Sequence, residues 1–72
     1  MAQPDNLSDR ERQVLHFIEL FRGEKGYSPS TREIAEHIGV TSTSLVDYYL
    51  QGLEAAGMIR RDKRIARSVV VL

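Results

Sequence analysis

Ser30-Thr31-Arg32-Glu33-Ile34-Ala35-Glu36-His37-Ile38-Gly39-Val40-Thr41-Ser42-Thr43-Ser44-Leu45-Val46 contains two helix starts separated by a glycine-bearing turn. Ser30 can accept from the amide three residues on, and Glu33 can reach back to the Ser30 amide, which makes a capping box. Ile34, Ala35 and Ile38 form the apolar face of a short helix over 30–38. Gly39 closes it, because glycine takes the left-handed conformation of a helix end at little cost. Val40-Thr41 makes a tight turn, and Ser42 caps a further helix over about 43–56. Two short helices joined by such a turn form a helix-turn-helix.

Toward the C-terminus, Val46, Tyr49, Leu50 and Leu53 recur at i, i+3, i+4 and i+7 and share one helix face. Ser44, Asp47, Tyr48 and Gln51 lie on the opposite face. Gly52 costs about 1 kcal/mol against alanine inside a helix; it either permits close packing or is tolerated. Gly57 stops the helix. Met58-Ile59-Arg60-Arg61 then reads as a short strand, residues 62–66 as a charged turn, and the β-branched run Arg67-Ser68-Val69-Val70-Val71-Leu72 as a returning strand.

Toward the N-terminus, Ser8-Asp9-Arg10-Glu11 is a second capping box. Val14, Leu15, Ile18 and Phe21, widened by Phe17, make the apolar stripe of a helix over about 8–23, ended by Gly23 and Gly26. Tyr27-Ser28-Pro29 is an extended link, since Pro29 pushes Ser28 away from helical angles. Residues 1–6 are expected to be a flexible lead-in and residues 7–72 one domain. The expected fold is mainly α with a small β-hairpin: a winged helix-turn-helix of three helices plus a two-stranded wing.

Composition narrows the function classes. There is no cysteine, which excludes disulfides and thiolate metal sites. No apolar run approaches the ~18 residues needed to cross a bilayer. His16 and His37 fall on separate helices at no metal-binding or catalytic spacing. No enzyme activity, cofactor, metal, membrane or small-molecule ligand is expected. Net charge is zero, but it is unevenly spread. Residues 1–57 hold five basic residues against nine acidic, a net of minus four, whereas residues 58–72 hold five basic against Asp62 alone, a net of plus four. Phosphate binding depends on local clustering more than on the sum.

In a helix-turn-helix the second helix presents its N-terminal residues to base edges in the major groove. Here those are Thr41, Ser42, Thr43, Ser44, Leu45, Asp47 and Tyr48. Leu45 lies about 100° from the core face; it either meets a thymine methyl or edges the core. Hydroxyls and free amides at the helix starts, with Ser30, Arg32, Thr41 and Thr43, suit the phosphate backbone. Arg60, Arg61, Lys63, Arg64 and Arg67 on the wing would add phosphate contacts, which orient but do not specify. The competing expectation is a winged helix used as a protein-interaction module without DNA binding, with Leu45, Tyr48 and residues 69–72 as its surface.

Pro29-Ser30-Thr31-Arg32-Glu33-Ile34-Ala35, then Ile38-Gly39-Val40, then Leu50-Gln51-Gly52-Leu53-Glu54-Ala55-Ala56-Gly57-Met58-Ile59, resembles the N-terminal DNA-binding domain of the LexA repressor family. That family carries a Pro-Thr-x-x-Glu-Ile-Ala motif, a Leu-Gly-Phe turn and a leucine-spaced helix ending in glycine and two apolar residues. Leu7-Ser8 with Arg10 and Val14 is similar to its opening helix, and Arg67-Ser68-Val69 to its last strand. The pattern runs over residues 7–72 without a gap. The resemblance implies a cytoplasmic, nucleoid-associated transcriptional repressor bound to a palindromic operator in double-stranded DNA. It implies that Ser42, Ser44, Leu45, Asp47 and Tyr48 occupy the base-reading positions. Ser42-Thr43-Ser44 replaces the usual Ser-Pro-Asn-type start and Asp47-Tyr48 the usual acidic pair, so the expected operator differs from the usual DNA-damage operator. The wing is also more basic than is usual in the family. Full-length members continue into a self-cleaving domain with a Ser-Lys pair that also dimerises. Residues 1–72 hold no such segment, so no self-cleavage is expected of them, and any homodimer is expected to be weak or DNA-induced.

Overall fold

The computed structural model describes residues 7–72, and the expected lead-in of residues 1–6 lies outside the described residues. The elements run α1 (Asp9–Lys25), α2 (Thr31–Ile38), α3 (Thr43–Ala55), β1 (Ile59–Arg60) and β2 (Val70–Val71). Three helices followed by a hairpin make a winged helix-turn-helix.

Each helix begins where a serine meets the free amides of the first turn. The Glu11 amide donates to the Ser8 hydroxyl at 3.1 Å, and the Ser8 amide donates to the Glu11 carboxylate at 2.9 Å. Ser30 and Glu33 repeat this at 3.2 and 2.8 Å. Ser42 accepts from the Leu45 amide at 3.2 Å. α1 runs two residues past its expected end at 23. Gly23 stays helical at a cost of about 1 kcal/mol, and the turn comes only at Gly26, whose φ of +81° is left-handed. At the end of α2, Gly39 takes φ +78°. The Val40 amide donates back to the Ala35 carbonyl at 3.0 Å. From α1, Arg10 donates to the Ile38 carbonyl at 2.7 Å and so satisfies an acceptor that a helix end otherwise leaves open.

One core joins all five elements or their flanks. Val14 and Ile18 of α1, Ile34, Ala35 and Ile38 of α2, and Val46, Leu50 and Leu53 of α3 are buried with Leu7, Ile59 and Val69. Gly52 faces α1: a Cβ there would collide with the Glu11 carboxylate. The neighbour is the flexible tip of a side chain and not the α1 backbone, so a methyl at position 52 displaces Glu11 rather than forcing the helices apart.

The wing strands are shorter than the sequence suggests. They pair antiparallel over two residues each, Ile59 with Val71 and Arg60 with Val70. Side chains take over the ladder beyond that point. The Asp62 amide donates to the Ser68 hydroxyl at 3.0 Å, which donates on to the Asp62 carbonyl at 2.8 Å. Arg22 of α1 donates to the Val69 carbonyl at 2.9 Å. With these backbone groups already bonded, pairing stops and the chain loops.

Candidate nucleic-acid interface

Burying Val46, Leu50 and Leu53 turns the opposite side of α3 outward. Thr41, Ser42, Thr43 and Ser44 are exposed there. Tyr48 is 68% exposed and Leu45 36%, so Leu45 is a surface residue at the margin of the core. Ser42 spends its hydroxyl on the helix cap. Asp47 is half-buried and engaged three times: it accepts from Arg61 at 2.7 Å, from Lys63 at 3.1 Å and from Gln51 at 3.1 Å. Arg32 is exposed, whereas Ser30 is half-buried and committed to its capping box.

The five basic residues of the wing do not form one free cluster. Arg60 points outward from β1 and carries no ion pair among the described residues. Arg61 turns inward, its side chain only 5% exposed. It donates through Nη1 to Asp47 and through Nε to Glu54, at 2.7 and 2.9 Å. Its Nη2 is buried without a hydrogen-bond partner. Lys63 is 58% exposed beside Asp47, and Arg64 is 88% exposed beside Asp62. Arg67 donates to Glu33 at 2.7 Å and to the Ser28 carbonyl at 3.2 Å. Its guanidinium also lies 4.9 Å from the centre of the Tyr27 ring.

These pairs shape the electrostatics. The hydrogen bond from Arg61 holds the Asp47 carboxyl below its ordinary pKa against the opposing effect of burial. Arg67 does the same for Glu33, and Arg64 for Asp62. Burial works to lower the Arg61 pKa, but Asp47 and Glu54 outweigh it and raise the pKa. Asp47, Glu33 and Asp62 are thus ionised at neutral pH and each matched by a wing cation. Thr31, Thr43, Ser44, Asp47, Arg61 and Lys63 line one shallow polar hollow, which brings the starts of α2 and α3 against the root of the wing.

His16 is exposed, and His37 stacks on Phe17 at 4.1 Å, nearly parallel. Among the described residues no group of three or more His, Asp or Glu comes together to hold a metal ion. No helix among them is long and apolar enough to cross a membrane. The sequence reading missed Arg10, Arg22 and Glu54. The bonds of the two arginines span 28 and 47 residues, which no local pattern reveals. Glu54 was readable in principle, because it lies seven residues after Asp47 and so on the same side of α3.

Three helices, a two-stranded wing and an outward-facing third helix define a winged helix-turn-helix protein of the kind whose third helix is the recognition helix. Residues 4–68 match the family profile of the LexA DNA binding domain, and the chain belongs to that family. It is 46% identical over 71 residues, 99% of its length, to the LexA repressor of Roseiflexus sp. (strain RS-1), covering 33% of that protein. It is 42% identical over 64 residues, 89% of its length, to the LexA repressor of Clostridium botulinum (strain Hall), covering 32%. The LexA repressor of Exiguobacterium sp. (strain AT1b) is 46% identical over 66 residues, 92% of this chain and 32% of the relative. The chain spans about a third of the length of these relatives.

Proposed function

We propose that this chain binds double-stranded DNA sequence-specifically, as the DNA-reading part of a LexA-like transcriptional regulator in the repressor role that its relatives' names carry. α3, with its cap at Ser42, enters the major groove, and the wing over 60–67 follows the phosphate backbone. Ser44, Leu45 and Tyr48 read base edges, with Ser42 and Asp47 bordering them. Arg60, Lys63 and Arg64 meet phosphates, together with Arg32, Thr41, Thr43 and the start of α2 at Ser30. One observation carries this reading. The outer face of α3 is open, while the acids that would repel phosphate there, Asp47 and Glu33, are each bonded to a wing cation. Lys63 and Arg64 sit in exposed ion pairs, which contribute little and are readily exchanged for phosphate. As a DNA-reading segment on the nucleoid, the chain needs no catalysis, cofactor or small-molecule ligand. The partner surface is a palindromic operator, occupied by a homodimer that is weak or forms on the DNA.

The test is binding to random-sequence duplex across a salt series, followed by selection of the bound pool. Salt-sensitive binding that enriches a two-fold symmetric motif establishes the operator and the dimer. Salt-sensitive binding without a motif removes the sequence-specific claim. No binding by the folded chain at about 50 mM salt, where phosphate contacts are strong, overturns the proposal and favours a protein-interaction module.

A further inference from the structure

The wing loop, residues 62–66, is closed on itself and fastened elsewhere. At its base, Asp62 and Ser68 exchange two hydrogen bonds, and within it the Ile65 amide donates to the Asp62 carbonyl at 3.0 Å. The angle of the loop to the helices then depends on what holds it from outside: Lys63, paired with Asp47 at 3.1 Å through an exposed ammonium, and the contacts at its two ends. An arginine stands at each. At the entry, strand alternation sends Arg60 to solvent and Arg61 inward. Arg61 there bridges Asp47 and Glu54, two carboxylates seven residues apart on α3, with different nitrogens of one guanidinium. At the exit, Arg67 reaches across to α2 and the link before it, bonding Glu33 and the Ser28 carbonyl beneath the Tyr27 ring contact.

The backbone supports the same conclusion. Arg67 has φ +57°, and among non-glycine residues it alone is left-handed in the described chain. Such a conformation persists when surrounding contacts over-determine it, and Arg67 has three. Both arginines also use geometry that lysine lacks. Arg61 holds two acceptors with different nitrogens of one rigid plane, and the flat guanidinium of Arg67 lies over the Tyr27 ring while its Nη1 serves both Glu33 and the Ser28 carbonyl, whereas an ammonium is a compact point charge.

We infer that Arg61 and Arg67 are positioning residues, clamping the wing to the recognition helix and to α2, and so setting the angle at which Arg60, Lys63 and Arg64 reach phosphate. The effect on DNA rests on the DNA-binding reading above; the clamp itself does not. Four of the five wing cations face acids, but only these two are committed across elements through more than one acceptor.

The experiment compares the 72-residue chain with Arg61→Lys, Arg67→Lys and Arg61→Met. It measures nitrogen-15 relaxation of residues 62–66 and affinity for random-sequence duplex across a salt series. Each variant is expected to drop the loop order parameters from about 0.85 toward about 0.6. Duplex affinity should fall about tenfold, the size of one lost charge-assisted bond. The fall should be the same at every salt concentration, with the slope of log affinity against log salt kept. Lysine should not rescue, although it restores the charge. If the lysine variants bind as the parent does, and Arg61→Met flattens the slope by about 0.9 with the loop still rigid, Arg61 is a phosphate contact and the inference falls. A loosened loop with unchanged affinity overturns the positioning role as well. Should the parent chain bind no duplex, the DNA-binding reading fails, and the relaxation data alone decide the clamp.

Discussion

The Tyr48 ring stands in solvent on α3, with the Tyr49 ring tilted 5.9 Å away. It is well placed to meet base edges without unpacking anything. Tyr48→Ala is expected to change preference at one or two base pairs, by about 1–3 kcal/mol there, with stability nearly unchanged. Selection on a randomised operator measures this, and equal weakening at every sequence would move Tyr48 to the backbone. Ser28 is the opposite case. It is buried, and its hydroxyl has no partner, while its carbonyl serves Arg67. Removing a buried, unpaired hydroxyl relieves a desolvation penalty, so Ser28→Ala should leave stability unchanged or raise it by up to about 1 kcal/mol. Thermal unfolding decides, and a clear loss would mean that the hydroxyl is bonded, for example to water. Only the first of these was visible along the chain. Exposure of Tyr48 followed from the periodicity of α3, but the closed environment of Ser28 depends on residues 39 positions away.

The helices were largely legible because their starts are chemical and local. Ser8, Ser30 and Ser42 each cap the helix that follows, as three-residue spacings require. The two strands were legible as well, but their lengths were not, because what ends them is Ser68 bonding Asp62 across the turn. Between helices, Gly52 and Glu11 offer a direct test of packing. A methyl at Gly52 gains roughly 1 kcal/mol of helix propensity. It also displaces the Glu11 carboxylate, and with it the half of the capping box that Glu11 supplies, for a loss of about 1 kcal/mol. Gly52→Ala should therefore be near neutral in the parent and stabilising by roughly 1 kcal/mol in a Glu11→Ala background. Urea unfolding of the four-member cycle gives the coupling; strict additivity would show that the two residues do not meet.

Across the whole molecule, charge links the elements. Arg67 holds down the pKa of Glu33, Arg61 that of Asp47, and Arg64 that of Asp62. Each acid is thus harder to protonate in the folded chain than in the unfolded one. The stability from these pairs is complete above the unfolded-state values, at about pH 5 and higher, and is lost as pH falls through the lower folded-state values. Thermal unfolding between pH 7 and pH 3 should show a flat neutral region and an acid decline. Asp47→Asn should be less stable at neutral pH and decline less steeply. An acid limb unchanged in that variant would mean that the Arg61 pair contributes nothing to stability. The same pairs revise the charge balance seen in the sequence: the net positive segment after residue 57 is mostly matched by acids from α2 and α3.

Local chemistry was enough to place the three helices, their caps, the turn at Gly39 and the core stripe, since each depends on neighbours within one or two turns. It was also enough to name the outward residues of α3, because a helix with one buried face must expose the other. The fate of the wing cations was beyond it. Five basic residues close in sequence look alike, and only folding brought Arg61 to Asp47 and Glu54, Arg67 to Glu33, and left Arg60 open. Charge is a property of a residue, but its availability depends on the distance to an opposite charge, and that distance exists only once the chain is folded.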